Sequence, residues 1–456
     1  MAGSNISYMP TDGLSYDPTD PVYWEPEALQ KELTRVFEVC HGCRMCFKYC
    51  DSFPTLFDLI DTKRDEDVRN LTEADVEDIA DGCFQCKLCE VQCPYTPADK
   101  HEFELDFPKL IHRYRAQQRK KKGLSFAEKT LTDPDGTAAK ARMTFGLANV
   151  MNRVSVHRWF METFLGIHRD KLLPDFASKT FEQWADDAGR TTDEPGKEVV
   201  LFQTCYVQNN EPHIGKDALA VMDANQVETA CVKGLACCGM PRWEKGDLES
   251  VRAAARHNLD ILMPHVEAGA TVVTLNPTCS MMLRKEYPEL LEGDDRVRAE
   301  RLSEHVKEAG EFLWGIRKEE RFNTDPKSLP DADGFAYHAP CHLRAQRTGF
   351  RGRDVVKKVL GIKPETVMEC CGHDGTYAMT KEGFEPSKRI GKHAFSGMIE
   401  SDSNVWATDC PLAALQFQQH AGVKPMHPMS ILAKAYQPDG FSRPSLPNSS
   451  EQETTE

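Results

Sequence analysis

The sequence lacks several features that would assign it to common classes of protein. No apolar run approaches the 18 residues that a transmembrane helix needs. The opening residues, MAGSNISYMPTDG, contain no charged and then apolar segment, so we expect no secretory signal. GxGxxG after a strand, Walker A, HExxH and GxSxG are all missing, which indicates no flavin, NAD or nucleotide site and no hydrolase site. Positive charge is scarce: 56 Lys and Arg against 71 Asp and Glu give a net charge of -15, which argues against nucleic acid as a partner.

Cysteine, in contrast, is abundant. The 456 residues include 17 cysteines, and an odd number without a secretory signal indicates a reducing compartment rather than a disulfide scaffold. In that setting cysteines are typically metal ligands or redox groups. Eight fall between Cys40 and Cys93 and nine between Cys205 and Cys410. We therefore expect a cytoplasmic protein, with peripheral attachment at the inner face of the membrane as an open alternative.

The chain divides where composition and pattern change. Pro26 opens a helical pattern, Thr72 resembles the start of a capping box, and a third helix is predicted from about Pro97 to Gly123. After residue 198 the short runs VVLF, TVVTL, FAY and NVWAT alternate with helical stretches, which is typical of α/β units with parallel strands. We predict an α+β multidomain protein with an extended arm at 1–24, a helical cysteine-rich domain at 25–123, a helical connector at 124–198, α/β domains at 199–330 and 331–437, and a disordered tail at 438–456.

The first eight cysteines form two runs with the same spacing. Cys40-x2-Cys43-x2-Cys46-x3-Cys50 is followed by Cys83-x2-Cys86-x2-Cys89-x3-Cys93. In such runs three thiolates bind three irons of one [4Fe-4S] cubane, and the fourth binds the other cluster. The spacing therefore predicts one cluster on Cys40, Cys43, Cys46 and Cys93, and a second on Cys83, Cys86, Cys89 and Cys50.

Two neighbouring cubanes transfer single electrons, so residues 25–123 are predicted to be an α-helical ferredoxin domain. A pair of zinc sites is the alternative, because CxxC pairs also bind zinc, although the doubled run is more demanding than a zinc ribbon. Asp51 follows the first run where proline is usual, whereas Pro94 follows the second. The helical stretch between the runs resembles the ferredoxin type of succinate dehydrogenase iron–sulfur subunits.

The later cysteines form an internal repeat. Cys205, Cys237-Cys238-Gly239 and Cys279 correspond to Cys341, Cys370-Cys371-Gly372 and Cys410, at offsets of 136, 133, 133 and 131 residues. A nearly constant offset indicates two copies of one domain. In each copy cysteines come directly after predicted strands, at the edge where open α/β sheets bind ligands. We therefore expect four thiols to converge at one site in each copy.

The stretches CYVQNNEPHIGKDAL (205–219), TCSMMLRKEYPELL (278–291), YHAPCHLRAQRTG (337–349) and CCGHDGTYAMTKE (370–382) carry a resemblance to a known family. Together with the tandem ferredoxin motifs they resemble the CCG-domain iron–sulfur proteins related to heterodisulfide reductase, in particular the iron–sulfur subunit of anaerobic glycerol-3-phosphate dehydrogenases. The resemblance implies an electron-transfer subunit that relays electrons from a flavoprotein dehydrogenase, glycerol-3-phosphate dehydrogenase-like or related, to a quinone or another acceptor. A catalytic subunit that reduces a disulfide at a CCG-domain cluster is the alternative.

The repeats depart from the family motif at one position each. The motif often ends in CxxC, but Met282 and Ala413 stand where a further cysteine would follow Cys279 and Cys410. A further Fe–S cluster, a zinc ion and a redox-active thiol set therefore stay open, and structural cysteines are the remaining alternative. The predicted cofactor-binding residues of the repeats are Cys205, Cys237, Cys238, Cys279, Cys341, Cys370, Cys371 and Cys410.

Four weaker signals each have a plainer reading. Cys231 belongs to neither set, and we predict an inert buried thiol. The histidines beside repeat cysteines, His338, His342 and His373, are predicted to be structural, with ligation or tuning of a cluster as the alternative. Seven Lys and Arg between 109 and 122 indicate either a docking patch or a solvated helix end. The amphipathic stretch 147–167 is predicted to pack internally, with a membrane or partner interface as the alternative.

Overall fold

The computed structural model describes residues 6–373 and 375–441 and begins with a helical domain. The predicted helix from Pro26 is confirmed, as is the capping box, in which Thr72 caps a helix together with Asp75. The third predicted helix begins at Phe107 rather than near Pro97, because Pro108 has no N–H to donate and occupies its first turn. The helices are α1 (Pro26–Cys43), α2 (Ser52–Lys63), α3 (Glu73–Asp81), α4 (Leu88–Gln92) and α5 (Phe107–Lys122), with 3-10 turns at Pro21–Trp24, Val68–Asn70 and Pro97–Asp99.

The N-terminal arm lies against this helical domain. Arg113 of α5 is fully buried, and its guanidinium donates hydrogen bonds to the backbone carbonyls of Gly13, Val22 and Tyr23. At the other end, the backbone N–H of Phe441 donates to Ser328 Oγ over 3.0 Å. The first five residues of the predicted arm, and residues 442–456 of the tail predicted to be disordered, lie outside the described residues.

The connector consists of short helices and exposes many apolar side chains. Its helices are α6 (Phe126–Leu131), α7 (Pro134–Arg142), α8 (Leu147–Met151), α9 (Ser155–Leu165) and α10 (Phe181–Asp187). Within α9 only Arg158 and Met161 are buried, whereas Trp159, Phe160 and Phe164 are 51%, 49% and 58% exposed. Internal packing of 147–167 is therefore wrong for these three aromatic side chains. Across both described ranges, no helix has the length and apolar character needed to cross a membrane.

The first α/β domain is built on a parallel sheet in the order β2-β1-β3-β4. Its strands are β1 (Val199–Phe202), β2 (Thr229–Cys231), β3 (Thr271–Thr274) and β4 (Val306–Glu308). The helices are α11 (Cys205–Asn209), α12 (Pro212–Ala224), α13 (Met240–Glu244), α14 (Leu248–Glu267), α15 (Pro277–Met281), α16 (Tyr287–Leu290), α17 (Gly293–His305) and α18 (Ala309–Gly315), with a π-helical turn at Met282–Glu286. Cys231 is 2% exposed in the apolar core, where an inert thiol was expected.

The second α/β domain repeats this topology on a smaller parallel sheet in the order β6-β5-β7. Its elements are β5 (Gly334–His338), α19 (Cys341–Ala345), α20 (Arg351–Leu360), β6 (Lys363–Val367), a 3-10 turn at Tyr377–Met379, α21 (Phe384–Glu400), β7 (Trp406–Thr408), α22 (Pro411–Ala421) and α23 (Pro428–Ala435). In both sheets the first strand lies between the second and the third. The two domains share one apolar core, in which α12 packs on α23 and α18 packs on α20.

Candidate metal centres

The structure brings the first three cysteines of the first run together with the last cysteine of the second run. A small cavity beside α1 is lined by Cys40, Cys43, Cys46 and Cys93 together with Phe53 and Phe57. Burial and then the charges of Cys93 and Cys43 raise the pKa of Cys46 to about 12. Four thiols that lie this close together suit a cationic metal centre, because its positive charge offsets the mutual repulsion of their thiolates. This donor set therefore fits a cluster.

The second set has the complementary composition and is more deeply buried. Burial and the charge of Cys83 raise the pKa of Cys50, and the charges of Cys86, Cys50 and Cys83 act on Cys89 in the same way. All four thiols are buried, whereas those of the first set are half-buried. Each fourth cysteine thus lies beside the other run, which is the arrangement that the spacing predicts.

In the first repeat the four cysteines lie at the carboxyl ends of the parallel strands. Cys205 begins α11 shortly after β1, Cys237 and Cys238 precede α13, and Cys279 lies in α15 after β3. Hydrogen bonds connect Cys205 to Cys237, Cys237 to Cys238, and Cys238 to Cys279. The hydrogen bond with Cys205 is the main reason that the pKa of Cys237 is well below its ordinary value. Gly239, at φ +89°, makes the turn between the paired cysteines and α13.

The second repeat places its cysteines in the same way. Cys341 begins α19 after β5, and its Sγ lies 3.8 Å from Cys370 Sγ. Cys410 follows β7 and caps α22, where its Sγ accepts a hydrogen bond from the Ala413 N–H over 3.4 Å. Ala413 is the position at which the family motif would carry a further cysteine. Here it contributes only a backbone amide.

The two four-cysteine sets face one small cavity of about 80 Å³. The lining includes all four cysteines of the first repeat and three of the second: Cys205, Cys237, Cys238, Cys279, Cys341, Cys371 and Cys410. The two copies of the domain therefore meet with their carboxyl-end edges towards each other. Within residues 6–373 and 375–441, no three His, Cys, Asp or Glu side chains converge closely enough to hold a single metal ion.

His342 connects the second cysteine run to both repeats. Its Nε2 lies 3.1 Å from the backbone carbonyl oxygen of Gln85, and its Nδ1 lies 2.9 Å from Thr278 Oγ1. Gln85 stands between Cys83 and Cys86, and Thr278 precedes Cys279. The short helices α4, α15 and α19, each next to a cysteine set, pack in a row, α4 on α19 and α19 on α15. The charge of Cys86 also contributes to the raised pKa of Cys341, after the hydrogen bond with Cys370 and burial.

Several ion pairs join the ferredoxin domain to the repeats, and two of them involve residues beside the run cysteines or between them. Lys87, between Cys86 and Cys89, pairs with Glu286, and the two side chains are 2% and 4% exposed. Asp51, which stands where proline is usual, pairs with Arg389 of α21, with 2.6 Å between Nη2 and the carboxylate. The departure from the usual motif at Asp51 therefore coincides with a contact between domains.

The connector contributes one ionisable side chain to each repeat site, half-buried Asp135 to the first and buried Lys171 to the second, and sequence reasoning missed both. Asp135 Oδ2 accepts a hydrogen bond from the Cys237 backbone N–H over 2.8 Å, and burial followed by the charge of Cys237 raises the pKa of this carboxyl to about 6. Lys171 is 3% exposed and donates to Gln416, and burial lowers its pKa to about 8 against the opposing effect of Cys371. Neither residue lies near a cysteine in sequence, so no local pattern identifies them.

The histidines beside the repeat cysteines differ in their hydrogen bonds. His338 uses both ring nitrogens, with Thr408 Oγ1 and the Glu369 carbonyl oxygen each 3.2 Å away, which matches a structural role. His373 lines the shared cavity, yet neither of its ring nitrogens has a hydrogen-bond partner among the described residues.

The first four cations of the basic run point inwards and contact acidic side chains or backbone carbonyls. The prediction of a docking patch is therefore wrong for Lys109, Arg113, Arg115 and Arg119.

Comparisons with known proteins agree with this geometry. A family model for the 4Fe-4S dicluster domain matches residues 36–125, and a family model for the cysteine-rich CCG domain matches residues 199–284 and 335–418. One subunit of the anaerobic glycerol-3-phosphate dehydrogenase of Escherichia coli (strain K12) is 28% identical over 292 residues, covering 63% of this chain and 72% of the relative. This chain is a homologue of that subunit.

Two further relatives are subunits of other oxidoreductases. The iron-sulfur subunit of glycolate oxidase from Escherichia coli (strain K12) is 24% identical over 365 residues, with 76% of this chain and 82% of the relative covered. A subunit of fumarate reductase (CoM/CoB) from Methanothermobacter marburgensis is 27% identical over 255 residues, with 54% and 48% covered. The chain is thus an iron–sulfur protein of the type that serves as a subunit of larger oxidoreductases.

Proposed function

We propose that this chain is the electron-transfer subunit of a multi-subunit oxidoreductase, and that it relays electrons from a flavoprotein dehydrogenase to a quinone or another acceptor. The dicluster domain, residues 25–123, holds two [4Fe-4S] clusters, which supply one-electron redox chemistry. Cys40, Cys43, Cys46 and Cys93 hold one, and Cys83, Cys86, Cys89 and Cys50 hold the other. The CCG domains, residues 199–330 and 331–437, hold further redox centres on their four-cysteine sets.

The observation that carries this proposal is the unequal environment of the two cysteine runs. The first run lies at the surface, where Met45 and Phe47 are 42% and 62% exposed. In the second run Leu88, which corresponds to Met45, is 1% exposed, and Gln85 and Lys87 are buried against the repeats. A partner can therefore approach the first site directly, whereas the second site communicates with the CCG domains. This gives the relay an entrance and an exit.

Anaerobic purification with iron and sulfide analysis tests the proposal. We expect about eight irons per chain from the dicluster domain alone, with additional iron if the CCG sites hold clusters, and a copurifying flavoprotein in a pull-down from native extract. The double variant Met45→Glu/Phe47→Glu is expected to lose that flavoprotein while keeping its iron. Ile399→Glu, which charges a side chain 55% exposed on α21, is the matched control and is expected to retain it. Fewer than about four irons together with bound zinc would contradict an iron–sulfur relay.

We further propose that the connector docks on an anionic membrane surface, which places the exit of the relay near a quinone. Of the 19 large apolar side chains that are exposed in the described ranges, nine lie between Met143 and Phe164. In a chain of net charge -15, residues 136–161 contain four Lys or Arg and no Asp or Glu. Lys140 and Arg153 are exposed, the latter in an ion pair with Asp175, whereas Arg158 is buried. Exposed aromatic side chains flanked by cations are typical of helices that lie in the membrane interface.

Vesicle flotation tests this surface. Vesicles containing phosphatidylglycerol are expected to carry the wild-type chain, and Trp159→Glu/Phe160→Glu is expected to abolish this binding. Ile399→Glu again serves as the control, because it adds a charge at an exposed apolar position outside the connector. Flotation of the double variant to the same extent as the wild type, or no flotation of the wild type at all, would contradict membrane docking.

Reduction of a disulfide is a second candidate function, and the shared cavity favours it. Two redox centres that face one cavity are suited to deliver two electrons to one substrate, and a disulfide takes up two electrons and two protons to give two thiols. We expect the isolated chain, supplied with reduced viologen, to reduce cystamine or oxidised glutathione if this function operates. Copurification of a flavoprotein, without disulfide reduction, separates the relay from this alternative.

A further inference from the structure

His373 is a buried imidazole whose two nitrogens both lack a partner. It follows Cys371 and Gly372, lines the cavity shared by the two CCG domains, and is only 9% exposed. Neither Nδ1 nor Nε2 finds a hydrogen-bond partner in the described ranges. A buried polar side chain without a partner is unfavourable and uncommon in folded proteins, so such a residue indicates a missing interaction.

The other two histidines of this cavity are different. His338 has both nitrogens within 3.2 Å of protein oxygens, and His342 is held between Gln85 and Thr278. Among the three cavity histidines, His373 alone is available to donate a nitrogen lone pair to a bound group. The cavity lining contains cysteines of both repeats, and His373, two residues after Cys371, belongs to the second four-cysteine set.

The first repeat has no such donor. Its cysteine pair is followed by Gly239 and Met240, and Met240 lines the same cavity from the opposite domain. The corresponding positions of the duplicated motif therefore present a thioether on one side and an imidazole on the other. Each site thus has four thiols, but the residue after the glycine is Met240 in the first repeat and His373 in the second.

We propose that His373 supplies a nitrogen ligand to the iron centre held by Cys341, Cys370, Cys371 and Cys410, and that the two CCG sites therefore differ in reduction potential. This inference rests on the proposed loading of the CCG sites with iron. A neutral imidazole adds less negative charge to the centre than a thiolate at the same place would, and iron–sulfur centres in which histidine replaces cysteine have more positive potentials. Because the first CCG site has the same number of thiols and no imidazole, the two centres have different donor sets and are expected to differ in midpoint potential.

Pulsed EPR on protein grown with ¹⁵N-labelled histidine tests the ligation directly. The signal of the second CCG centre in the wild type is expected to carry a strong nitrogen coupling that changes with the label. His373→Ala is expected to lose this coupling while the dicluster irons remain, and His373→Cys to keep the centre but shift its midpoint potential to a more negative value. His338→Gln, which alters a hydrogen-bonded histidine of the same cavity, is the control and is expected to keep the coupling.

The outcomes separate this inference from the proposed function. A CCG centre that shows no label-dependent coupling in the wild type, or that keeps the coupling in His373→Ala, overturns the ligation by His373 and leaves the relay intact. Iron limited to the dicluster domain, with no metal in either CCG site, overturns the ligation by His373 and the proposed CCG redox centres, whereas the loss of the dicluster iron overturns the relay itself. An unchanged midpoint potential in His373→Cys likewise rejects the difference that we assign to this residue.

Discussion

His342 donates a hydrogen bond from Nε2 to the backbone carbonyl oxygen of Gln85, and the two atoms are 3.1 Å apart. Because a carbonyl oxygen only accepts, the proton of the neutral ring resides on Nε2. Nδ1 then accepts from the hydroxyl of Thr278 at 2.9 Å. One side chain thus fixes the second cysteine run relative to both CCG sites, and its tautomer follows from its neighbours.

Removing this connection is expected to slow the transfer between domains. His342→Leu leaves the Gln85 carbonyl and the Thr278 hydroxyl without their partner, and an unsatisfied buried group costs about 1–3 kcal/mol. Rapid freeze-quench EPR after addition of dithionite is expected to show normal reduction of the dicluster domain and slower reduction of the CCG centres. His257→Leu removes a more exposed histidine that contacts the Gly234 carbonyl oxygen, and it provides the control. Equal rates in the two variants would contradict this role of His342.

The buried pair of Lys87 and Glu286 is expected to behave as a coupled unit. Pairing with Lys87 outweighs burial and lowers the pKa of Glu286, so both groups are charged at neutral pH. Lys87→Met is expected to lower stability by about 3–5 kcal/mol, since it leaves an uncompensated buried carboxylate. Lys87→Met/Glu286→Leu is expected to recover most of that loss. Thermal unfolding of the four proteins of this double-mutant cycle measures the coupling, and strictly additive losses would count against it.

Glu308 is expected to make stability depend on pH. Burial raises its pKa to about 8, although the Ser280 hydroxyl donates a hydrogen bond to it. A carboxyl with a raised folded-state pKa stabilises the fold fully below its unfolded value of about 4.3, and this contribution falls as the pH rises towards 8. Glu308→Gln is expected to flatten this part of the stability curve. Melting temperatures of wild type and variant between pH 5.5 and pH 8.5, measured without oxygen, that decline in parallel would refute the assignment.

Each cluster is predicted to take its fourth ligand from the other cysteine run, and single substitutions test this. Cys93→Ser is expected to impair the first-run cluster and Cys50→Ser the second-run cluster, each with a loss of up to four of about eight irons. EPR spectra of the two variants are therefore expected to retain different clusters. Cys231→Ala is the control, because burial raises the pKa of that thiol to about 12 and it lies in the apolar core. Loss of the first-run cluster in Cys50→Ser would reject the crossed arrangement.

The two glycines after the paired cysteines are expected to differ in tolerance. A Cβ at Gly372, at φ +73°, would overlap the Ser387 carbonyl oxygen, whereas a Cβ at Gly239 would lie 3.1 Å from Val251 Cγ1, which can move. Gly372→Ala is therefore expected to lower the melting temperature more than Gly239→Ala and to deplete metal from the second CCG site. Comparable losses in the two variants would show that the positive φ dominates both effects.

Most of the confirmed predictions follow from the spacing of residues that are close in sequence. The cysteine runs, the repeat offsets and the β-branched runs each depend on residues close in sequence, and the parallel strands, the duplicated topology and the crossed cysteine sets follow from them. The third helix was predicted too long because the turn after Pro97 and the cap at Asp106 interrupt a pattern that still contains apolar residues at helical spacing.

Contacts between segments that are distant in sequence cannot be predicted from local patterns. His342 and Gln85 are 257 residues apart, and Lys87 and Glu286 are 199 residues apart. Asp135 and Lys171 reach the CCG sites from a connector without cysteines. Which charges become buried depends on how the domains dock, and hydrophobic periodicity does not record that.

The two cysteine runs have the same spacing but lie in different surroundings, which can give electron transfer a direction. Arg44 and Lys87 hold corresponding places, both with left-handed φ, at 54° and 60°. Arg44 pairs with Asp61 at the surface, whereas Lys87 pairs with Glu286 inside the molecule. Under the proposed function, the loop of the first run faces a partner protein, and the loop of the second run joins the dicluster domain to the CCG domains. The two cluster sites therefore differ in the residues that surround the cysteine ligands and not in the ligands themselves.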